Sequence, residues 1–339
     1  MIRYPIWDRQ KKIGITAPSS GVQKEVQPML WMAINYFKNQ GQEVIVTPNV
    51  WTQEKVVSSP AYVRNNELNA LLTNQEVSLI IPPWGGELLL EMLPLIDFNS
   101  FPTKWLLGYS DISGLLLAIT LKTGIATAHG TNFIDLRGIT MDDTTASYQK
   151  VLTTLPGKSV TQQSSSFYQS KWDFEKTNNS PFHLDTPTKW RHIDPTITSQ
   201  HLEGRVLCGC IDIIRHLIGT PFGDVEAFWQ AHIPDEPVLW VLENCELNSA
   251  DLRRSLLQMH YAGWFKHCTG ILFGRSNANE VFEDYHFIDV YQILAEELQI
   301  PILYDIDCGH VPPQLTFING AYLEVSYSNG HATVIQTFN

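Results

Sequence analysis

Ser110, Glu243 and His310 offer, in chain order, a hydroxyl, a carboxylate and an imidazole, each at or just beyond the end of an apolar run. A serine hydroxyl is a weak nucleophile until a base takes its proton. An imidazole becomes that base once a carboxylate fixes its tautomer and orientation. The order serine, acid, histidine is that of the α/β-hydrolases, and unrelated folds also arrive at it. Ser110 sits where one apolar stretch stops at Gly108-Tyr109-Ser110-Asp111 and a second, residues 114–121, follows with the length of a helix. A strand that turns sharply into a helix holds its apex side chain out of the sheet. The free N–H groups of the first helical turn can there bind an oxyanion. The pattern predicts a nucleophile elbow at Ser110, with Ile112 where the usual elbow has glycine. Taken alone, Gly-x-Ser-Asp also describes an ordinary helix cap.

Glu243 ends Val238-Leu239-Trp240-Val241-Leu242-Glu243, which reads as a buried strand with a carboxylate at its C-terminal end. His310 follows Pro301-Ile302-Leu303-Tyr304-Asp305-Ile306-Asp307-Cys308-Gly309, a strand running into a Gly-His-Val-Pro-Pro loop. The acidic, cysteine and histidine residues of 305–310 could also be read as metal ligands. Zinc sites usually draw on a second His or Cys cluster elsewhere, and no spacing suggests one, so no metal is expected. His129, in Thr127-Ala128-His129-Gly130, is a second possible base.

The elements that must position these groups alternate. Short apolar strands are predicted at 13–16, 43–47, 77–81, 105–108 and 125–128, with helices at 28–39, 61–73, 88–93 and 113–122. Such alternation implies a mostly parallel sheet with helices on both faces. A stretch rich in Ser, Gln, Asn, Thr and Pro, 161–198, reads as an interdomain connection. Beyond it, strands are predicted at 203–208, 238–243, 270–274, 302–304, 314–317 and 322–326, with helices at 251–262 and 287–298. The fold class expected is α/β. A flavodoxin-like parallel-sheet domain spans 1–150, a polar connection 151–200, and a smaller β-rich α/β domain 201–339. The active site lies between the two domains.

The 339 residues suffice for two domains and a sizeable core. With 23 Lys and Arg against 35 Asp and Glu, the net charge of −12 argues against a nucleic-acid or anionic-membrane partner. The first residues lack a signal-peptide pattern and no apolar run reaches the roughly 20 residues of a membrane helix, so a soluble cytoplasmic protein is expected. The five cysteines, Cys208, Cys210, Cys245, Cys268 and Cys308, include no Cys-x-x-Cys and suggest neither disulfides nor zinc.

An ordered set of short motifs carries a resemblance. Lys12-Ile13-Gly14-Ile15-Thr16-Ala17-Pro18-Ser19-Ser20-Gly21, Gly85-Gly86, Leu93-Pro94-Leu95-Ile96-Asp97, Gly108-Tyr109-Ser110-Asp111 and His129-Gly130 occupy the first half. Glu203-Gly204-Arg205-Val206-Leu207-Cys208-Gly209-Cys210, Gly219-Thr220-Pro221-Phe222-Gly223, Leu242-Glu243 and Gly309-His310 follow. Together they resemble the LD-carboxypeptidase and microcin C immunity family of serine peptidases, from about residue 12 to about 325. The resemblance implies that Ser110 is the nucleophile, His310 the general base and Glu243 its orienting acid. It also implies an oxyanion hole from the backbone N–H groups of Gly86 and Asp111. His129-Gly130 is then a family marker outside the triad.

Gly85 and Glu87 flank that hole, and Glu87 departs from the small residue usual in the family. A carboxylate there bears on which substrate charge is accepted. The substrate implied is a murein tetrapeptide cut at an L,D-peptide bond, with no cofactor and a homodimeric enzyme. Arg137, Arg205 or Arg275 could then hold the free carboxylate. The immunity branch instead implies a peptidyl or aminoacyl nucleotide, with Trp172 and Trp190 of the polar stretch stacking on its base. A non-catalytic ligand-binding protein on the same scaffold would not require Ser110, Glu243 and His310 to converge.

Overall fold

A computed structural model describes residues 1–171, 180–278 and 281–339. The first sheet holds, side by side, Phe317–Asn319, Thr127–His129, Trp105–Gly108, Val77–Ile80, Lys12–Ile15 and Val44–Val46. All neighbouring pairs run parallel except Phe317–Asn319, which lies antiparallel on Thr127–His129. Numbered along the chain, the five parallel strands have the flavodoxin-like order 2-1-3-4-5. In such a sheet the crevice between the first and third strands, beyond their C-terminal ends, is where ligands bind. Here that crevice is bordered by the residues after Ile15 and after Ile80.

The second sheet has eight strands, in the order Ser159–Gln163, His331–Thr337, Tyr322–Ser328, Ser199–Cys210, Val238–Glu243, Cys268–Gly274, Ile302–Ile306 and Arg191–His192. Its four central strands are parallel and its flanks antiparallel. The strand Val238–Glu243 is buried at all six positions. That burial explains the unbroken apolar run from Val238 to Leu242, because a parallel strand is covered on both faces.

The helix Ile112–Thr123 packs against Thr127–His129 of the first sheet and Ser199–Cys210 of the second. All its residues but Lys122 are buried. A helix apolar all round belongs in an interior, and this one stands between the sheets with its N-terminus at Ser110.

Three expectations are corrected. The strand read at 314–317 forms at Phe317–Asn319 and belongs to the first sheet, not the second. Asn319 sets that placement: its Nδ2 donates to Thr127 Oγ1 at 3.2 Å and its Oδ1 accepts from Cys208 N at 2.7 Å, bridging the sheets. The helix expected at 88–93 is a 3-10 helix, Leu89–Leu95, with Pro94 inside it. The stretch 161–198 is more than a connection, since Ser159–Gln163 and Arg191–His192 are the two edge strands of the second sheet.

Candidate active site

Ser110 has a φ of +64°, a left-handed value that a non-glycine residue holds only when its surroundings enforce it. It follows the strand Trp105–Gly108 and precedes the helix Ile112–Thr123, as the elbow pattern predicts. Gly85 is packed directly on it. A Cβ at Gly85 would lie 2.6 Å from both Cβ and Oγ of Ser110. Gly86, at φ +143°, has no room either, with Ser19 Oγ 2.3 Å and Ser20 Oγ 2.4 Å from where a Cβ would stand. Glycine at both positions lets a backbone loop close on the serine.

Asp111 precedes the helix without capping it. Its Oδ2 accepts instead from Ser19 Oγ and from the Leu89 N–H, the latter at 3.0 Å. The carboxylate thereby staples two loops to the elbow. Burial raises its pKa, and the Ser19 and Leu89 hydrogen bonds oppose the rise. The buried Arg64 reinforces the same loops, donating to the Pro18 and Leu88 carbonyls at 3.0 Å each. The N–H groups of Gly86 and Asp111 meet no acceptor among the described residues.

His310 comes from the loop after Ile302–Ile306, and its Nδ1 lies 2.7 Å from Glu243 Oε2. The same oxygen accepts the His310 backbone N–H at 3.1 Å. Glu243 is fully buried, whereas His310 reaches the cavity surface. Burial would raise the Glu243 pKa, but His310 and His129 outweigh it and hold the carboxyl well below its ordinary range. For His310 burial works against protonation. The Glu243 charge and the Cys245 sulfur overcome it and raise the pKa well above 6.5. The edge of Tyr109 packs on the imidazole at 4.9 Å between centroids. With Nδ1 engaged by Glu243, Nε2 is the nitrogen available to Ser110. No hydrogen bond joins Ser110 Oγ to the ring in this conformation, and such contacts commonly tighten only with substrate bound.

Ser110 and His310 line one cavity of about 370 Å³, together with Trp84, Gly85, Gly86 and Tyr109. It opens at the crevice of the first sheet. Trp84 and Tyr109 supply its aromatic surface; neither was singled out from sequence, although Trp84 directly precedes the Gly85-Gly86 pair. Glu87 is exposed beside the glycine loop. Partial burial, then the nearby Glu246 and Asp111 carboxylates, raise its pKa.

Trp190 does not line this cavity. It is fully buried, and its Nε1 donates to Asp307 Oδ2 at 2.8 Å. Asp307, also fully buried, accepts from Ser165 N at 2.9 Å and pairs with Arg275 Nη1 at 2.8 Å. This cluster anchors the base of the His310 loop. Trp172 lies outside the described residues. The arginines considered for a substrate carboxylate are otherwise engaged. Arg137 donates to the Ile134 and Pro181 carbonyls, Arg205 pairs with Glu236, and Arg275 with Asp307.

Residues 13–130 match the LD-carboxypeptidase N-terminal domain and residues 203–325 the LD-carboxypeptidase C-terminal domain. The microcin C7 self-immunity protein MccF of Escherichia coli is 24% identical over 96% of this chain and 93% of its own. Solved structures of MccF include complexes with aspartyl sulfamoyl adenosine and glutamyl sulfamoyl guanosine. The apo wild-type structure superposes with a TM-score of 0.83 at 19% identity, covering 100% of this chain and 99% of that one. A muramoyltetrapeptide carboxypeptidase from Oxalobacter formigenes superposes with a TM-score of 0.72 at 19% identity, covering 96% and 98%. The chain belongs to the LD-carboxypeptidase family of serine peptidases.

Proposed function

We propose that this enzyme hydrolyses the L,D-peptide bond of murein tetrapeptides through Ser110, His310 and Glu243. The observation that carries the reading is the buried Glu243–His310 couple opening onto the same cavity as the strained Ser110. His310 Nε2 takes the Ser110 proton as Oγ attacks the scissile carbonyl. Glu243 holds the ring tautomer and stabilises the imidazolium that forms. The oxyanion of the tetrahedral intermediate accepts from the Gly86 and Asp111 N–H groups. Collapse of the intermediate breaks the C–N bond, and His310 returns its proton to the leaving amine. Water then attacks the acyl-enzyme, with His310 again taking the proton, and frees Ser110.

A second reading directs the same chemistry at aminoacyl or peptidyl nucleotides. It is favoured by the likeness to MccF along the whole chain and by the two aromatic side chains at the cavity, Trp84 and Tyr109.

Purified wild type and Ser110→Ala would each be offered a murein tetrapeptide ending in D-Ala and an aminoacyl sulfamoyl adenosine. Release of D-Ala by the wild type alone supports the first reading. Cleavage of the nucleoside conjugate alone supports the second. Equal rates for the two proteins on either substrate would remove Ser110 as the nucleophile, and no turnover of either would leave a ligand-binding role.

A further inference from the structure

Glu243 stands between two imidazoles. His310 Nδ1 takes its Oε2 at 2.7 Å, and His129 Nε2 lies 3.6 Å from its Oε1. His129 and Glu243 are both fully buried, and they come from different sheets, at the C-terminal ends of Thr127–His129 and Val238–Glu243. Neither Oε1 nor His129 Nε2 has a hydrogen-bond partner among the described residues, so the two buried atoms face one another as a long charge contact. The second nitrogen of His129 lies 3.5 Å from Ser113 Oγ, a hydroxyl that accepts the Cys210 N–H at 3.2 Å. A carboxylate offers no proton, so the nitrogen facing Glu243 carries one.

We propose that His129 is a positioning residue for the catalytic couple, presenting an N–H to the carboxylate oxygen that His310 leaves free. This rests on the proposed roles of Glu243 and His310. A donor on Oε1 draws electron density from the carboxylate and makes Oε2 a weaker acceptor. It restrains the degree to which Glu243 holds a proton on His310, and a base that keeps its proton cannot take one from Ser110.

The groups facing His129 are Glu243 from the strand Val238–Glu243, Cys208 from Ser199–Cys210, Cys308 from the loop before Gly309, and Ser113 from the elbow helix. Those facing His310 are Glu243, Cys245, Cys210 at the end of Ser199–Cys210, the Tyr109 edge and, at longer range, Asp135. Burial opposes protonation of His129, but Cys308 and then Glu243 outweigh it and raise its pKa to about 9. Cys308 moves the other way, to about 7, through contacts with Cys208 and His129 that outweigh its burial.

The test compares wild type, His129→Leu and His129→Gln by kcat/KM against pH and by NMR titration of the His310 ring in 15N-histidine-labelled protein. Leucine keeps the bulk and removes the donor; glutamine restores an N–H without the ring. We expect the His310 titration and the acid limb of kcat/KM to move up by about one pH unit in His129→Leu. That is about tenfold lower activity on the limb, recovering on the alkaline plateau, and His129→Gln recovers part of the shift. A loss equal at every pH, or a His310 titration unmoved in both variants, overturns the proposal. The titration needs no substrate, so a shifted His310 in a protein inactive on both substrates would sink the proposed function and leave this inference standing. If His129→Leu does not fold, the glutamine variant decides the matter by the same readouts.

Discussion

Gly309 passes so close to Glu243 that a Cβ built on it would lie 2.0 Å from the carboxylate Oε2. The backbone there has φ +91°, a conformation L side chains rarely adopt. Both features serve one end, since this close passage lets the next residue give Glu243 its backbone N–H and its Nδ1 together. Gly309→Ala is expected to displace His310 and lower kcat at least about 100-fold, because small misplacements of catalytic groups cost that much. Circular dichroism would show the fold retained; a variant with near wild-type kcat would refute the geometric argument.

Replacing Glu243 by glutamine keeps the shape and removes the charge. Loss of the orienting carboxylate in a serine triad costs about 10⁴-fold in kcat, and a similar loss is expected for Glu243→Gln. The His310 pKa should also fall, since Glu243 raises it. Steady-state kinetics from pH 5 to 9 would therefore show a lower plateau with its acid limb moved to lower pH. An acid limb moved upward would contradict the assignment.

Ser19→Ala removes the hydroxyl that ties one loop to Asp111. The proposed oxyanion donors, the Gly86 and Asp111 N–H groups, stay in the chain but lose their staple, so kcat should drop about tenfold with KM little changed, less than the 100- to 1,000-fold loss of a whole donor. Burst-phase kinetics would locate the loss in acylation. A change confined to KM would mean that Ser19 serves binding instead.

Asp307→Asn breaks a buried ion pair and leaves Arg275 uncompensated, which should cost about 3 kcal/mol. Urea unfolding followed by tryptophan fluorescence measures this, with Trp190 as one of the reporters. A midpoint within error of wild type would show that the cluster does not anchor the His310 loop.

Stability should decline on both sides of neutrality. Glu243 is held below its ordinary value, so its contribution is present above that value and is lost as pH falls through the depressed one. His129 is raised, so its contribution is complete below 6.5 and is lost as pH rises towards about 9. Unfolding midpoints between pH 6.5 and 9 should therefore fall less in His129→Gln than in wild type. Parallel curves would disprove the alkaline half of this account.

The parts of the site that were legible in sequence are those with local signatures. Ser110 lies between two apolar runs, and the glycine pair 85–86 ends a strand. The parallel order of the first sheet followed from the strand-helix alternation. What escaped was long-range pairing. Nothing around Asn319 announces that it bridges two sheets, because its partners, Thr127 and Cys208, are remote in sequence. The place of Trp190 is hidden from the sequence for the same reason. An indole in a polar stretch looks available for stacking until Asp307 is found to take its N–H. The partnership of His129 with Glu243 likewise depends on two strands of different sheets ending side by side.

The strand Phe317–Asn319 has a consequence for how the chain is made. It covers the edge of Thr127–His129, yet it is translated long after that strand. At about 5–20 residues per second, the edge stays bare on the ribosome for on the order of ten seconds or more. A bare edge is a template for pairing with other chains. A nascent or truncated chain that stops before Phe317 thus carries Ser110 on a sheet still open on that side, and the last-made strands act as the molecule's own chaperone for the first-made ones.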